Sequence, residues 1–169
     1  SKRFSWTAGS THDREEIEVI KAHALIKEKI PDALLILAPR KPERFQAVSK
    51  ILDQSGLTHC KWSKSKEKKI NSDVLLVDTL GDLLFFYSVS KVSFVGGSLF
   101  GIGGHNLIEP AILMKPMLSG PKLENVQEIA DQFISNQAII IVNDHKDLSS
   151  SILDLSDDKE RCNQMTDNA

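Results

Sequence analysis

The sequence predicts an α/β fold with a doubly wound, mainly parallel sheet of the Rossmann-like kind. Apolar segments of strand length, such as 33–38 and 74–77, alternate along the whole chain with longer segments of helix length. These apolar segments are too hydrophobic to face water on either side, which is typical of parallel strands covered by helices on both faces. Because strands and helices alternate throughout, each connection is predicted to be a crossover within one sheet.

Four strands and three helices are predicted in the first half of the chain. The strands are expected at 4–8, 33–38, 58–62 and 74–77. The first helix is expected to run to about Ile30, the second to span about 43–54, and the third, a short one, to run through Tyr87. Ser10, Thr11 or Asp13 can cap the first helix, and Glu15 and Glu16 place negative charge in its first turn. The apolar residues of this helix form two stripes, so they predict no single buried face.

The second half of the chain is predicted around a loop at 96–104, the glycine loop, which follows a strand at 92–95. Pro110 is tolerated only in the first turn of a helix, so the helix after the loop cannot begin much before Asn106. Glu109 is expected to point away from the apolar face of that helix, which is predicted as Leu107, Ile108, Ala111 and Ile112. The remaining strands are expected at 115–118 and 138–142, and the remaining helices at 124–133 and 146–155.

Composition is that of an ordinary soluble domain and excludes several classes of protein. The chain has 169 residues, 41% hydrophobic and 26% charged, and we expect a single domain over 1–169. A net charge of -2 gives no reason to expect a nucleic-acid surface. No run approaches the roughly 18 apolar residues of a membrane span, and no signal peptide is present. Neither end resembles a natural terminus, so we expect a soluble fragment of a longer protein.

Metal binding and a basic surface are not expected either. Cys60 and Cys162 belong to no metal-ligand spacing, which fits a reducing compartment and no structural metal. The lysine-rich segment 63–69 is interpreted as a solvated loop, with a functional basic patch as the alternative.

The glycine loop is the predicted ligand site. Five of its residues are glycine, and such density marks positive φ angles or a place where a ligand contacts bare backbone. A helix that opens after the loop offers free N–H groups and a positive dipole end, which suit a phosphate or carboxylate. A glycine-rich connection with no ligand is the alternative. The carboxyl ends of the strands gather this loop on one rim with the loops at 9–11, 39–40, 78–79 and 119–121.

Several side chains on this rim can contact an anionic ligand. Arg40 follows a strand directly and suits bidentate contact with a phosphate, although it could instead pair with a neighbouring carboxylate. His105 can add a hydrogen bond or a positive charge, or be merely structural. Glu109 can accept two hydrogen bonds from a ribose diol, or serve only as a first-turn charge. Backbone donors for an anion are expected from Gly103, Gly104, His105 and Asn106.

Other enzyme classes lack their motifs. The first strand, loop and helix at 8–13 contain no GxGxxG, which argues against a dinucleotide cofactor. The sequence also has no GxxxxGK[ST], no HExxH and no GxSxG, and no constellation for nucleophilic catalysis is visible.

Six motifs in the same order resemble the C-terminal half of bacterial 3-deoxy-D-manno-octulosonic acid (Kdo) transferases. They cover nearly the whole chain and comprise 8–11 with Glu15 and Glu16, 38–45, 78–83, 94–99, 103–106 with Glu109 and Ala111, and 120–121 with Asn125. The resemblance implies a GT-B glycosyltransferase of two Rossmann-like domains. The domain present here would bind the donor CMP-Kdo, and an N-terminal domain, absent from this chain, would bind a lipid A precursor. The resemblance also implies lipopolysaccharide synthesis at the cytoplasmic face of the inner membrane, with attachment through the N-terminal part.

The resemblance also implies residue roles. Arg40 and the 103–106 turn would hold the CMP phosphate and Glu109 the ribose. Further contacts with the donor are implied for Gly97, Ser98, Ser10, Lys41, Thr79 and Asn125. Many family members have histidine where this chain has Lys41, so the positive charge is kept but an imidazole hydrogen bond is not.

The implied chemistry is direct displacement at the anomeric carbon with inversion, without a metal or other cofactor. Its general base would be a carboxylate of the N-terminal domain, so no catalytic residue is assigned here and the isolated chain is expected to be inactive. Two alternatives stay open: a GT-B domain for another nucleotide sugar of the UDP-hexose type, and a non-catalytic flavodoxin-like module that binds a nucleotide or phosphate.

Overall fold

A computed structural model of the chain describes residues 3–65 and 69–169. Seven parallel strands form one sheet in the order β3-β4-β2-β1-β5-β6-β7. This arrangement confirms the predicted doubly wound sheet. Part of the lysine-rich loop expected at 63–69 lies outside the described residues. The strands are β1 (Ser5–Thr11), β2 (Leu34–Pro39), β3 (His59–Lys61), β4 (Val74–Leu76), β5 (Val92–Val95), β6 (Met117–Ser119) and β7 (Ile139–Ile141).

Within the described residues, seven helices connect and follow the strands. They are α1 (Glu15–Lys29), α2 (Phe45–Gln54), α3 (Leu83–Val89), α4 (Ile108–Ile112), α5 (Gln127–Ser135), α6 (His145–Asp157) and α7 (Lys159–Asn168). Short 3-10 turns precede α2 and α5 and follow β3. Within residues 3–65 and 69–169, no helix is both long and apolar enough to cross a bilayer.

The helices cover both faces of the sheet. On one face, α1, α2, α6 and α7 pack over a core that includes Trp6, Leu37 and Phe94. On the other face, Tyr87 of α3 and Phe133 of α5 belong to one cluster, and Phe86 of α3 belongs to a second. This packing decides which apolar residues of α1 are buried. The helix packs mainly against α6 and the sheet, and Ile17, which points outward, is left exposed.

A buried histidine connects α1 to the centre of the core. The indole Nε1 of Trp6 donates to Nδ1 of His23 at 3.1 Å. The other ring nitrogen, Nε2, therefore carries the proton and donates to the carbonyl of Asp73 at 2.9 Å. Burial lowers the pKa of His23 to about 4, so the ring is neutral at neutral pH.

The order of the strands reverses between β1 and β5, and this point positions the glycine loop. After β1 the chain builds the sheet outward through β2, and β5 then pairs with the other side of β1. The amide of Gly96 donates to the carbonyl of Gly9 at 2.7 Å, and the amide of Arg40 donates to the carbonyl of Thr11 at 2.8 Å. The carboxyl ends of β1, β2 and β5 are thus tied together at the switch point, where sheets of this type bind ligands.

The start of α1 differs from the sequence prediction. The strand β1 does not end near Ala8 but continues to Thr11, with a shift in its register against β2 between Gly9 and Thr11. None of the three predicted capping side chains caps the helix; instead the carbonyl of His12 accepts from the first amides of α1, and Arg14 adopts a positive φ of 69°. Ser10 and Thr11 are unavailable as caps because they belong to the strand.

The predicted apolar face of α4 is also partly wrong. Leu107 is buried as expected, but Ile108 and Ile112 are 44% and 74% exposed. Pro110 takes the buried position instead. A helix of five residues makes little more than one turn, so its periodicity is a weak predictor of which residues are buried.

Candidate functional site

A buried carboxylate holds the first half of the glycine loop. Glu15, only 1% exposed, accepts hydrogen bonds from the amides of Gly97 at 2.7 Å, Ser98 at 3.0 Å and Leu99 at 3.0 Å. The amide of His12 donates to the same carboxylate at 3.2 Å. Burial raises the pKa of Glu15, and these N–H groups oppose that shift. We call residues 97–99 the anchor segment. The resemblance implies donor contacts for Gly97 and Ser98, and the amides of both residues are used inside the protein.

The end of the glycine loop and the three residues that follow it leave backbone donors free. We call residues 103–107 the open segment. The amide of Gly104 donates to the carbonyl of Gly97 at 2.7 Å, so it is used internally as well. Among the described residues, no protein acceptor receives the other amides of this segment, those of Gly103, His105, Asn106 and Leu107. Asn106 Oδ1 accepts from the amide of Ile108 at 2.8 Å, and α4 is too short to add much dipole.

Two histidine rings bridge the loop after β1 and the open segment. Nε2 of His12 lies 2.6 Å from Nε2 of His105, with the ring planes at 10° to each other. One nitrogen must donate and the other accept, so the contact holds one proton. Burial, with Lys41 and Arg40 nearby, lowers the pKa of His12; burial, His12 and Arg40 lower the pKa of His105 to about 4. His105 therefore offers a hydrogen bond at neutral pH rather than a positive charge.

His12 was missed as a site residue by the sequence reasoning. A single histidine after a strand carries no motif of its own. Its position on the rim directly after β1 was the only available signal, since its partner lies 93 residues further along the chain.

Two cations at the end of β2 remain free to meet an anion. Arg40 and Lys41 are exposed, and neither forms an ion pair with any residue in the described part of the chain. The alternative role of Arg40, pairing with a carboxylate, is therefore not seen. Arg44 behaves differently, because it contacts Glu16 at 2.9 Å and Asp13 at 3.3 Å. The carboxylates thus neutralise Arg44 and leave the other two charges available.

Two of the residues implied to contact the donor brace the loop. Ser98 is fully buried; its hydroxyl donates to the carbonyl of Val95 at 2.7 Å and accepts from the amide of Gly120 at 2.8 Å. The side-chain Nδ2 of Asn125 donates to the carbonyl of Ile102 at 2.9 Å. The backbone amide of Asn125 donates to the carbonyl of Gly103 at 2.9 Å. Both side chains fix the backbone of the loop, and the donor contacts implied for them stay predictions.

The other candidates lie around the same rim. Ser10 and Thr79 line a cavity of about 70 Å³ together with Arg40. Ser10 has a positive φ of 56°, and the hydroxyl of Thr79 donates to Asp82 at 2.6 Å. Glu109, half-buried, accepts from Nδ2 of Asn106 at 3.3 Å beside the open segment. Within the described ranges, no group of three or more His, Cys, Asp or Glu side chains is placed to hold a metal ion.

Comparison with curated proteins finds Kdo transferases. The chain is 36% identical over 142 residues to the 3-deoxy-D-manno-octulosonic acid transferase of Haemophilus influenzae, covering 84% of this chain and 33% of that protein. It is 36% identical over 135 residues to the enzyme of the same name from Bordetella pertussis, covering 78% and 32%. The chain thus spans about a third of the length of these relatives. No family model matches.

Comparison with solved structures identifies the part of the enzyme concerned. The C-terminal CMP-Kdo binding domain of WaaA from Acinetobacter baumannii matches with a TM-score of 0.92 and 34% identity, over 98% of this chain and 86% of that domain. The C-terminal domain of LpcC, a group 1 glycosyl transferase from Francisella tularensis, matches with a TM-score of 0.68 and 13% identity over 98% of this chain and 81% of that one, which shows the fold alone. This chain belongs to the Kdo transferase family and corresponds to the C-terminal domain of its members.

Proposed function

We propose that this chain is the donor-binding domain of a Kdo transferase and that it binds CMP-Kdo at the switch point of the sheet. The observation that carries the proposal is the meeting of free cations and free amides in one place. Arg40 and Lys41 lie at the end of β2, and the open segment presents unpaired N–H groups beside His105. The Acinetobacter domain named for binding CMP-Kdo shares this fold at 34% identity, which supports the assignment of the ligand.

The proposed roles follow from the chemistry of the donor. Arg40 and Lys41 bind the phosphate of CMP, and the amides of the open segment donate to its oxygens. His105, neutral at pH 7, adds a hydrogen bond, and Glu109 accepts from the ribose hydroxyls. Because these positive groups compensate the phosphate charge, we propose that donor binding requires no metal ion.

The proposed reaction breaks the bond between the anomeric carbon of Kdo and the phosphate oxygen. The acceptor hydroxyl forms the new bond from the opposite face, so the anomeric configuration is inverted, and CMP departs with the bonding electrons. Negative charge increases on the departing phosphate, where preorganised donors such as the open segment and Arg40 stabilise it most. The proton of the acceptor hydroxyl goes to a base that this domain does not supply.

We propose that the full-length protein contains a second domain beside this one. A second domain binds the acceptor, a lipid A precursor, and provides the general base and the attachment to the cytoplasmic face of the inner membrane. The full-length enzyme acts in lipopolysaccharide synthesis. The isolated chain therefore binds CMP and transfers no Kdo.

A comparative nucleotide titration tests the proposed ligand. Amide chemical shifts of the isotope-labelled chain are followed while CMP, UDP and flavin mononucleotide are added separately at up to millimolar concentration. We expect CMP to shift the amides of the open segment and of Arg40, with a weaker response to UDP. A stronger response to UDP supports a UDP-sugar domain, a response to flavin mononucleotide supports a flavodoxin-like module, and either result overturns the proposal.

A further inference from the structure

We propose that Glu15 is a positioning residue of the nucleotide site, which holds the anchor segment so that the open segment and the histidine pair stand ready for the ligand. This inference rests on the proposed function. Glu15 is buried at the first position of α1 and does not reach the open rim. It acts through the backbone, on groups 82 to 84 residues away in the chain.

The hydrogen bonds connect Glu15 to the open segment in two steps. The carboxylate accepts the amide of Gly97, and the carbonyl of Gly97 accepts the amide of Gly104. A Cβ on Gly97 would lie 2.6 Å from Cδ2 of His105, so the imidazole packs directly on this glycine. A displacement of Gly97 is therefore transmitted both to the backbone of the open segment and to the ring of His105.

The same carboxylate also fixes the other histidine. Oε1 of Glu15 accepts the amide of His12 as well as that of Gly97. Both loops that carry the histidine pair are thus joined through one oxygen atom. Loss of the hydrogen bonds to Oε1 would therefore free both His12 and His105, whose Nε2 atoms are in contact.

The pattern of acceptors makes the position specific for a carboxylate. Oε1 accepts two amides and Oε2 accepts two others, those of Ser98 and Leu99. Glutamine has the same shape, but one end of its amide is a donor. Whichever way that amide is turned, its NH₂ group faces two N–H groups, so two buried donors lose their acceptor.

The central experiment compares Glu15→Gln with the unmodified chain. We expect E15Q to keep its fold, to exchange the amide hydrogens of the anchor segment faster, and to bind CMP about tenfold more weakly, the result of losing roughly 1.4 kcal/mol of preorganisation. Ile26→Val is the matched control, because Ile26 is fully buried on the same helix but belongs to the core. We expect I26V to lose stability without losing affinity for CMP. Equal CMP affinity in E15Q and I26V would assign Glu15 a purely structural role and overturn the proposal.

Two further measurements separate failure of this inference from failure of the proposed function. Without any nucleotide, E15Q is expected to shift the ring signals of His12 and His105; unchanged signals contradict the positioning role even if CMP never binds. If E15Q does not fold, native-state hydrogen exchange of the unmodified chain decides. Protection of the anchor amides comparable to that of β5 supports the inference, and fast exchange contradicts it.

Discussion

Replacing Gly97 by alanine is expected to disrupt the histidine pair while leaving the sheet intact. Gly97 has a φ of +71°, a conformation that costs an L-residue roughly 1–2 kcal/mol. The added Cβ would also lie 2.6 Å from Cδ2 and 2.8 Å from Nε2 of His105. Since carbon atoms pack at about 3.5 Å or more, the imidazole must move by about 1 Å. That movement separates His105 from His12 and alters the face presented to the ligand.

A matched control isolates the effect of the histidine. Gly56 also has a positive φ, of +83°, but a Cβ there meets nothing within 4 Å. Gly56→Ala therefore carries the backbone cost alone and should lower the free energy of unfolding by roughly 1–2 kcal/mol. Gly97→Ala adds the lost imidazole contact and should lower it by about 1 kcal/mol more.

Urea unfolding and CMP titration of the two variants provide the assay. We expect G56A to bind CMP like the unmodified chain and G97A to bind it about tenfold more weakly, which corresponds to about 1.4 kcal/mol of binding free energy. If the two variants lose equal stability and bind CMP equally well, then Gly97 does not place His105, and the site does not depend on the histidine pair.

Three other predictions concern charge. Because the pKa of His23 is about 4 in the folded chain and near 6.5 in the unfolded chain, protons bind preferentially to the unfolded chain. The free energy of unfolding should therefore fall by up to about 3 kcal/mol as the pH is lowered from about 6.5 to about 4. An H23Q variant whose free energy of unfolding depends on pH in the same way as that of the unmodified chain would contradict this. Arg40→Ala should weaken CMP binding by roughly 10- to 100-fold in calorimetric titration, whereas Lys50→Ala, an exposed cation on α2, should not. EDTA should leave the CMP affinity unchanged in the same titration, and a loss of affinity would indicate a metal-dependent site.

The sheet and the position of the ligand loop follow from local patterns in the sequence. Apolar runs such as 74–77 identify buried parallel strands, and alternation with helices leaves few ways to connect them. Once β5 is assigned, the glycine loop must emerge on the rim with Arg40, because the carboxyl ends of parallel strands share one edge. This is why the glycine loop and Arg40 were predicted on the same rim, where the structure places them.

The internal use of the loop could not be predicted in the same way. An acidic residue in the first turn of a helix has an ordinary local explanation, and Glu15 fits it. Its actual partners lie 82 or more residues away, and only the tertiary fold brings them together. The bracing contacts of Ser98 and Asn125 were not predicted for the same reason, since a hydroxyl or amide in a loop can contact a ligand or the loop itself, and spacing alone does not distinguish these roles.

The most direct test of the account is a crystal structure of this chain with CMP bound. We expect the phosphate to contact Arg40 and the free amides of the open segment, while the carboxylate of Glu15 still accepts the amides of the anchor segment. A phosphate on the amides of Gly97 and Ser98, with Glu15 displaced, would contradict the division of the loop into two halves. CMP bound away from the rim of β1, β2 and β5 would contradict the proposed site altogether.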